Sequence, residues 1–291
     1  MTGTSGSELH AQRLAASEYE QAGAKTEVTM TDRRQFIATL GAGAALALLD
    51  RTGLAEARVP ARVPLRARNV VLLHGAYADG SSWARVVAPL EAAGLHVTAV
   101  QNPLTSLADS VAATRRALAM QQGPTVLAGH SWAGTVVSEV GNDPGVTAVV
   151  YVAARAPDAG EDFTALAKKF PTPPASAGLI TTNGWAQLSE QAFLNDFANG
   201  VDPVTARALL AAQSPVAATL FAGKTTTAAW RSKPSWYAVS RQDRTINPEL
   251  ERFLAKRMKA TTIEVDSGHL SLVSHPAEIA RLIVAAATST R

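Results

Sequence analysis

The sequence predicts an α/β fold, a mostly parallel sheet flanked by helices with a helical cap inserted into it, and three observations point there. From Asn69 onward, short β-branched runs alternate with helical patterns. Those runs are mostly continuous stretches of apolar or β-branched residues, as in strands buried on both faces. The alternation lapses once, between about residues 158 and 230, where 73 residues hold Pro171, Pro173 and Pro174, short helical stretches and no convincing strand.

Residues 70–73 open the series and residues 97–100 follow. Ser106, with Asp109 three positions on, is the N-cap of the next helix. Residues 125–128 form the third run, which turns through Gly129 into a helix ending at Val140, and residues 146–152 form the fourth. Beyond the lapse, residues 236–239 and 262–265 complete the set. Between these two, Asn247 is a cap with Pro248 at the first helical position, and Leu250, Phe253, Leu254 and Met258 share a helical face. Pro276 opens the last helix, whose apolar face carries Ile279, Leu282 and Ile283. Such strand–helix–strand units build a parallel sheet with helices on both sides. The insert holds 7 of the 16 aromatic residues: Phe163, Phe170, Trp185, Phe193, Phe197, Phe221 and Trp230. They serve either as the cap's own core or, as a group, as the roof of an apolar pocket.

Composition narrows the chemistry. With 47% hydrophobic and 18% charged residues and a mean hydropathy of +0.04, the 291-residue chain is too apolar for disorder and too mixed for a multispan membrane protein. The absence of cysteine removes thiolate nucleophiles, disulfides and Cys-ligated metal. A net charge of +3 without a block of like charges gives no reason to expect nucleic acid. No H-E-x-x-H and no clustered His and carboxylate set suggest a metal, and no dinucleotide fingerprint appears, so no cofactor is expected.

Residues 1–57 read as a twin-arginine export region. Thr31-Asp32-Arg33-Arg34-Gln35-Phe36-Ile37 precedes an Ala/Gly/Leu run, and Ala55-Glu56-Ala57 offers an A-x-A cleavage site. The apolar stretch 36–49 has 14 residues, short of the ~20 a spanning helix needs, so no stable membrane anchor is expected. A start at Met30 would give the short charged leader such signals usually have, leaving residues 1–29 untranslated. The expected partner is therefore the twin-arginine export machinery, and the expected location periplasmic or extracellular. Residues 58–67, with the tandem Ala-Arg-Val-Pro, read as an extended linker, and residues 68–291 as the folded domain.

Gly129-His130-Ser131-Trp132-Ala133-Gly134 lies between a buried strand and a helix, the setting of a nucleophile elbow. The turn strains the serine and lifts its hydroxyl above the sheet, so small residues are needed two before and two after it; Gly129 and Ala133 meet that need. Ser131 is thus the candidate nucleophile. Leu73-His74-Gly75-Ala76 ends the first strand, where the Ala76 N–H and the Trp132 N–H are the candidate oxyanion donors. His74 itself reads as a turn-stabilising side chain. In this arrangement the acid follows a late strand and the base the last one. Of the five histidines beyond residue 57, His74, His96, His130, His269 and His275, that order selects His269 as base, with His275 as a helix cap. Asp243, four residues past a strand, is the favoured orienting acid. Asp158, after the preceding strand, is the other candidate, and Asp266 lies too near His269 along the chain.

With His74-Gly75-Ala76, Gly80, Trp83, the elbow, Asp243 and His269 in this order, residues 68–288 resemble α/β-hydrolases of the methylesterase and hydroxynitrile-lyase group, including bacterial pyrethroid-hydrolase-like esterases. In that group the triad and both N–H donors fall on the positions named above. Its hydroxynitrile lyases carry Lys directly after the catalytic His, whereas Leu270 stands here, which favours ester hydrolysis. The resemblance implies a serine hydrolase acting on a carboxylic ester of a small, partly apolar molecule through an acyl-enzyme. Lactone opening, perhydrolysis or C–C cleavage on the same triad, or slow-turnover ligand binding on the same fold, are the competing readings.

Overall fold

The computed structural model describes residues 64–289. The expected export region and the first part of the expected linker lie outside them. Within the rest of that linker, the Arg66 and Ala67 N–H groups both donate to the Ala287 carbonyl, at 2.8 and 3.0 Å.

Nine strands occur among the described residues: β1 (Asn69–Leu73), β2 (His96–Val100), β3 (Thr125–His130), β4 (Val146–Val152), β5 (Leu179–Thr182), β6 (Trp185–Leu188), β7 (Val216–Ala217), β8 (Ser235–Ser240) and β9 (Thr261–Val265). Six form one wholly parallel sheet in the order β2-β1-β3-β4-β8-β9. The main helices are α1 (Ala84–Ala92), α2 (Leu107–Ala119), α3 (Ala133–Val140), α4 (Phe163–Ala167), α5 (Pro203–Ala211), α6 (Pro248–Arg257) and α7 (Pro276–Thr288). The chain runs outward from β1 to β2 and then reverses to β3, so right-handed crossovers put α1 on one face and α2 on the other. α7 returns to pack on α1, and α3 packs on α2. The reversal leaves a crevice at the carboxyl ends of β1 and β3, where open α/β sheets bind ligands.

β1, β3 and β8 are buried along their whole length, as expected for continuous apolar runs, and β4 is buried except at Thr147. β2 and β9 differ: only Val100 and Val265 are buried, because each strand closes an edge of the sheet. Helix starts follow the sequence signals. Ser106 Oγ accepts the Asp109 N–H at 3.0 Å, Asn247 Oδ1 accepts the Glu249 N–H at 2.9 Å, and Pro276 opens α7. On α6 the buried stripe is shifted by a residue: Leu250, Leu254 and Met258 are inside, Phe253 is 41% exposed, and Glu251 is fully buried.

The insert between β4 and β8 corrects one expectation. It is not purely helical: β5, β6 and β7 make an antiparallel sheet. Thr182 pairs with Trp185 across a two-residue turn, Asn183-Gly184, in which both residues have positive φ (50° and 82°). That is the twist-matched turn Asn-Gly favours in hairpins. β5 is exposed throughout, so it carries no apolar pattern to reveal it. Among the described residues no helix is long and apolar enough to cross a membrane.

Candidate active site

Ser131 sits directly after β3 with φ 57°, a left-handed conformation that a non-glycine residue holds only when its surroundings impose it. The imposing contacts are those between strand and helix. A Cβ on Gly129 would come within 2.6 Å of Val137 Cγ2, and one on Gly134 would run into the Arg155 carbonyl. Ala133 fits with full burial. Positive φ recurs beyond neighbouring strands, at Ala153 (43°) directly after β4 and at Tyr77 (62°) in the turn four residues past β1.

The structure brings Ser131, His269 and Asp243 together from three separate strand ends. Ser131 Oγ lies 2.8 Å from His269 Nε2, and His269 Nδ1 donates to Asp243 Oδ2 at 2.6 Å. The carboxylate partner assigns the proton to Nδ1 and leaves Nε2 to accept from the serine. Asp243 Oδ1 accepts the Thr245 and Ile246 N–H groups at 2.6 and 2.8 Å, which holds the carboxylate in place. All three residues are buried. The other acids are engaged elsewhere: Asp158 pairs with Arg231 on the surface, and Asp266 accepts Gln242 Nε2 at 2.9 Å. His275 stands at the start of α7, but its side chain meets Ser274 Oγ and caps no backbone N–H.

His74 and His130 are buried and structural. His74 Nδ1 donates to the Gly75 carbonyl at 2.9 Å while Nε2 accepts the Asn102 N–H at 2.8 Å, tying the turn after β1 to the end of β2. Burial lowers its pKa. His130 Nε2 donates to the His269 carbonyl at 3.0 Å, anchoring the loop that carries His269. Burial, then the neighbouring His269, pushes its pKa well below the usual imidazole value. Nothing in the order of residues along the chain assigns His130 this role.

A buried carboxyl escapes the sequence reading altogether. Glu251 Oε2 accepts the Ser240 N–H at 3.0 Å, and the side chain abuts Asp243. Burial, then the Asp243 charge and the hydrogen bond shared with it, raises the Glu251 pKa well above the carboxylate range. Two adjacent buried carboxyls cannot both ionise cheaply, which favours the protonated form of Glu251.

Ser131 opens into a cavity of about 180 Å³ whose wall includes Ala76, Tyr77, Trp132, Arg155 and Phe221. Ala76 and Trp132, the two expected oxyanion donors, thus border the same space as the hydroxyl. Of the insert's aromatics only Phe221 lines it. Phe197 instead packs on the His269 ring at 5.2 Å, Phe193 on Phe197 at 4.9 Å, and Trp230 Nε1 donates to the Pro157 carbonyl at 2.9 Å. A larger groove, about 910 Å³, runs along α2 and contains none of these groups.

A model of the alpha/beta hydrolase family matches residues 70–282. The chain belongs to that family. No curated protein sequence matches this hydrolase. Among solved structures it is similar to a pyrethroid hydrolase from Sphingobium faniae JZ-2, with 17% identity over 77% of this chain and 98% of that one and a TM-score of 0.64. Polyneuridine aldehyde esterase shares 17% identity over 75% of this chain and 98% of its own, with a TM-score of 0.65. An extracellular alpha/beta-hydrolase from a Paenibacillus species, described as homologous in structure and function to tobacco salicylic acid binding protein 2, shares 20% over 78% of this chain and all of its own, with a TM-score of 0.64. At such identities these likenesses are likenesses of fold.

Proposed function

We propose that this α/β-hydrolase cleaves a carboxylic ester of a small, partly apolar molecule through a covalent acyl-enzyme. The observation that carries the reading is the hydrogen-bonded series Ser131–His269–Asp243, buried and facing a cavity. His269 Nε2 takes the hydroxyl proton as Ser131 Oγ attacks the ester carbonyl. Asp243 holds the imidazole and stabilises the imidazolium. The Ala76 and Trp132 N–H groups receive the oxyanion, a donor of this kind being worth roughly 2.7–4 kcal/mol in a water-excluded site. Collapse expels the alcohol, which takes the proton from His269. Water, activated by the same imidazole, then attacks the acyl-enzyme and releases the acid.

Similarity to a pyrethroid hydrolase and to polyneuridine aldehyde esterase supports ester substrates. The buried Leu270, where hydroxynitrile lyases of the resembled group carry Lys, supports hydrolysis over cyanohydrin cleavage. We further propose export by the twin-arginine route, on the Arg33-Arg34 signal and the Ala55-Glu56-Ala57 site; similarity to an extracellular hydrolase is consistent with it. The test is turnover: the purified protein mixed with an ester panel of graded acyl length should show multiple turnovers with an optimum at short chains. A single stoichiometric release followed by silence would instead mark a slow-turnover binding protein.

A further inference from the structure

Resting on the ester-hydrolase reading above, we propose that the natural substrate carries a carboxylate besides its ester, and that Arg155 is the residue that receives it. Arg155 is anchored to the nucleophile: its backbone N–H donates to the Ser131 carbonyl at 3.0 Å, and its side chain lines the same cavity as Ser131. The guanidinium rests against the Phe163 and Phe221 rings, with centroids at 4.9 and 4.8 Å. Those rings stabilise a cation but offer no oxygen acceptor. A guanidinium has five N–H donors, and the one protein hydrogen bond of this side chain is a 3.5 Å contact from Nη1 to the Phe221 carbonyl, at the edge of the usual range.

The surrounding charges leave this cation unbalanced. Among the described residues Arg85, Arg207, Arg231, Arg244, Arg252, Arg257 and Arg281 each meet a carboxylate, and Arg66, Arg68, Arg115, Arg116 and Arg241, which meet none, are exposed to solvent; Arg155 meets none and is withdrawn from it. No Asp or Glu lines the cavity, and the one triad acid, Asp243, is committed to His269. Burial lowers the Arg155 pKa to about 10, so it remains charged at neutral pH, while burial raises its neighbour Tyr77 to about 12, so the phenol remains neutral. A half-buried cation without a counter-charge is unfavourable until an anion arrives. A planar carboxylate matches the guanidinium fork.

Two ester pairs test this: the mono-p-nitrophenyl ester of adipic acid against its terminal carboxamide, and 4-acetoxybenzoate against 4-acetoxybenzamide, which put the acid on the acyl or the alcohol side. The wild-type enzyme should prefer the acid of at least one pair by tenfold or more in kcat/KM, chiefly through KM, and the preference should shrink as salt rises. Arg155→Gln should bring that ratio close to one, and Arg155→Lys should keep part of it. A purely structural Arg155 would depress acid and amide alike and leave the ratio unchanged, which would overturn the proposal. So would a wild-type ratio at or below one in both pairs, a result that needs no variant. Thermal stabilisation by free adipate or 4-hydroxybenzoate, present in the wild type and lost in Arg155→Gln, reads the anion site without turnover. Stabilisation by neither would count against the site. Stabilisation without hydrolysis of any ester would keep the anion site and sink the hydrolase reading.

Discussion

Glu251→Gln removes a titratable proton from the fold without changing its shape, and the consequence is a pH-dependent gain in stability. In the native protein burial and Asp243 hold the Glu251 pKa well above its unfolded value, near 4.3. Below that unfolded value the carboxyl is protonated in both states and contributes its full share to stability. As pH rises, the unfolded chain releases the proton while the native protein keeps it. Native protein then binds more protons than unfolded, so stability falls with pH until Glu251 ionises in the fold. The slope is about 1.4 kcal/mol per pH unit for one proton. The glutamine amide of the variant can still accept the Ser240 N–H and donate to Asp243, but it has no proton to lose. The difference in stability, variant minus wild type, should therefore grow by about 1.4 kcal/mol per unit above pH 5. For a domain of this size that is roughly 3–5 °C in Tm per pH unit. Thermal melts of both proteins every half unit from pH 4 to 8 measure it. Parallel curves would show that Glu251 is ionised in the native state, and the proton assigned to the Asp243–Glu251 pair would have no place.

Asp243→Asn should lower kcat about 10⁴-fold, because the amide favours the wrong imidazole tautomer. Asp158→Asn removes only a surface ion pair with Arg231, an interaction worth at most about 1 kcal/mol, and should cost tenfold or less in kcat on the same activated ester; the reverse outcome would move the acid to Asp158. Changing Arg33 and Arg34 together to Lys should leave unprocessed protein in the cytoplasm, whereas the wild type should be exported with an N-terminus near Arg58. Mass spectrometry finding residues 1–29 on exported protein would contradict both the cleavage and the Met30 start.

The features legible in the sequence are those that local chemistry decides. Ser131 announces itself because an elbow needs small neighbours on both sides of the serine between a buried strand and a helix. Chain order, once the strands are counted, points to His269 and favours Asp243 while leaving Asp158 open, and it is the hydrogen bond from His269 Nδ1 to Asp243 Oδ2 that joins the pair. Other features depend on contacts far along the chain. Glu251, in Pro248-Glu249-Leu250-Glu251-Arg252, has the look of a charge on a solvated helix face, and only the packing of α6 under Ser240 turns it inward in place of Phe253. His130 gains its purpose from a carbonyl 139 residues away. The small sheet of the insert is readable in one place, the Asn183-Gly184 turn, but its first strand faces solvent and lacks the alternation that would have supported it.

Ser131 as a nucleophile activated by His269 is the central claim, and intact-protein mass after treatment with a fluorophosphonate tests it most directly. Wild-type protein should gain one adduct, mapping to Ser131, as esterase activity is lost in step. Ser131→Ala should be folded, inactive and unlabelled, since the change removes one oxygen and no core volume. A wild-type enzyme that hydrolyses esters while its mass stays unchanged, or a Ser131→Ala protein that keeps activity, would contradict the mechanism.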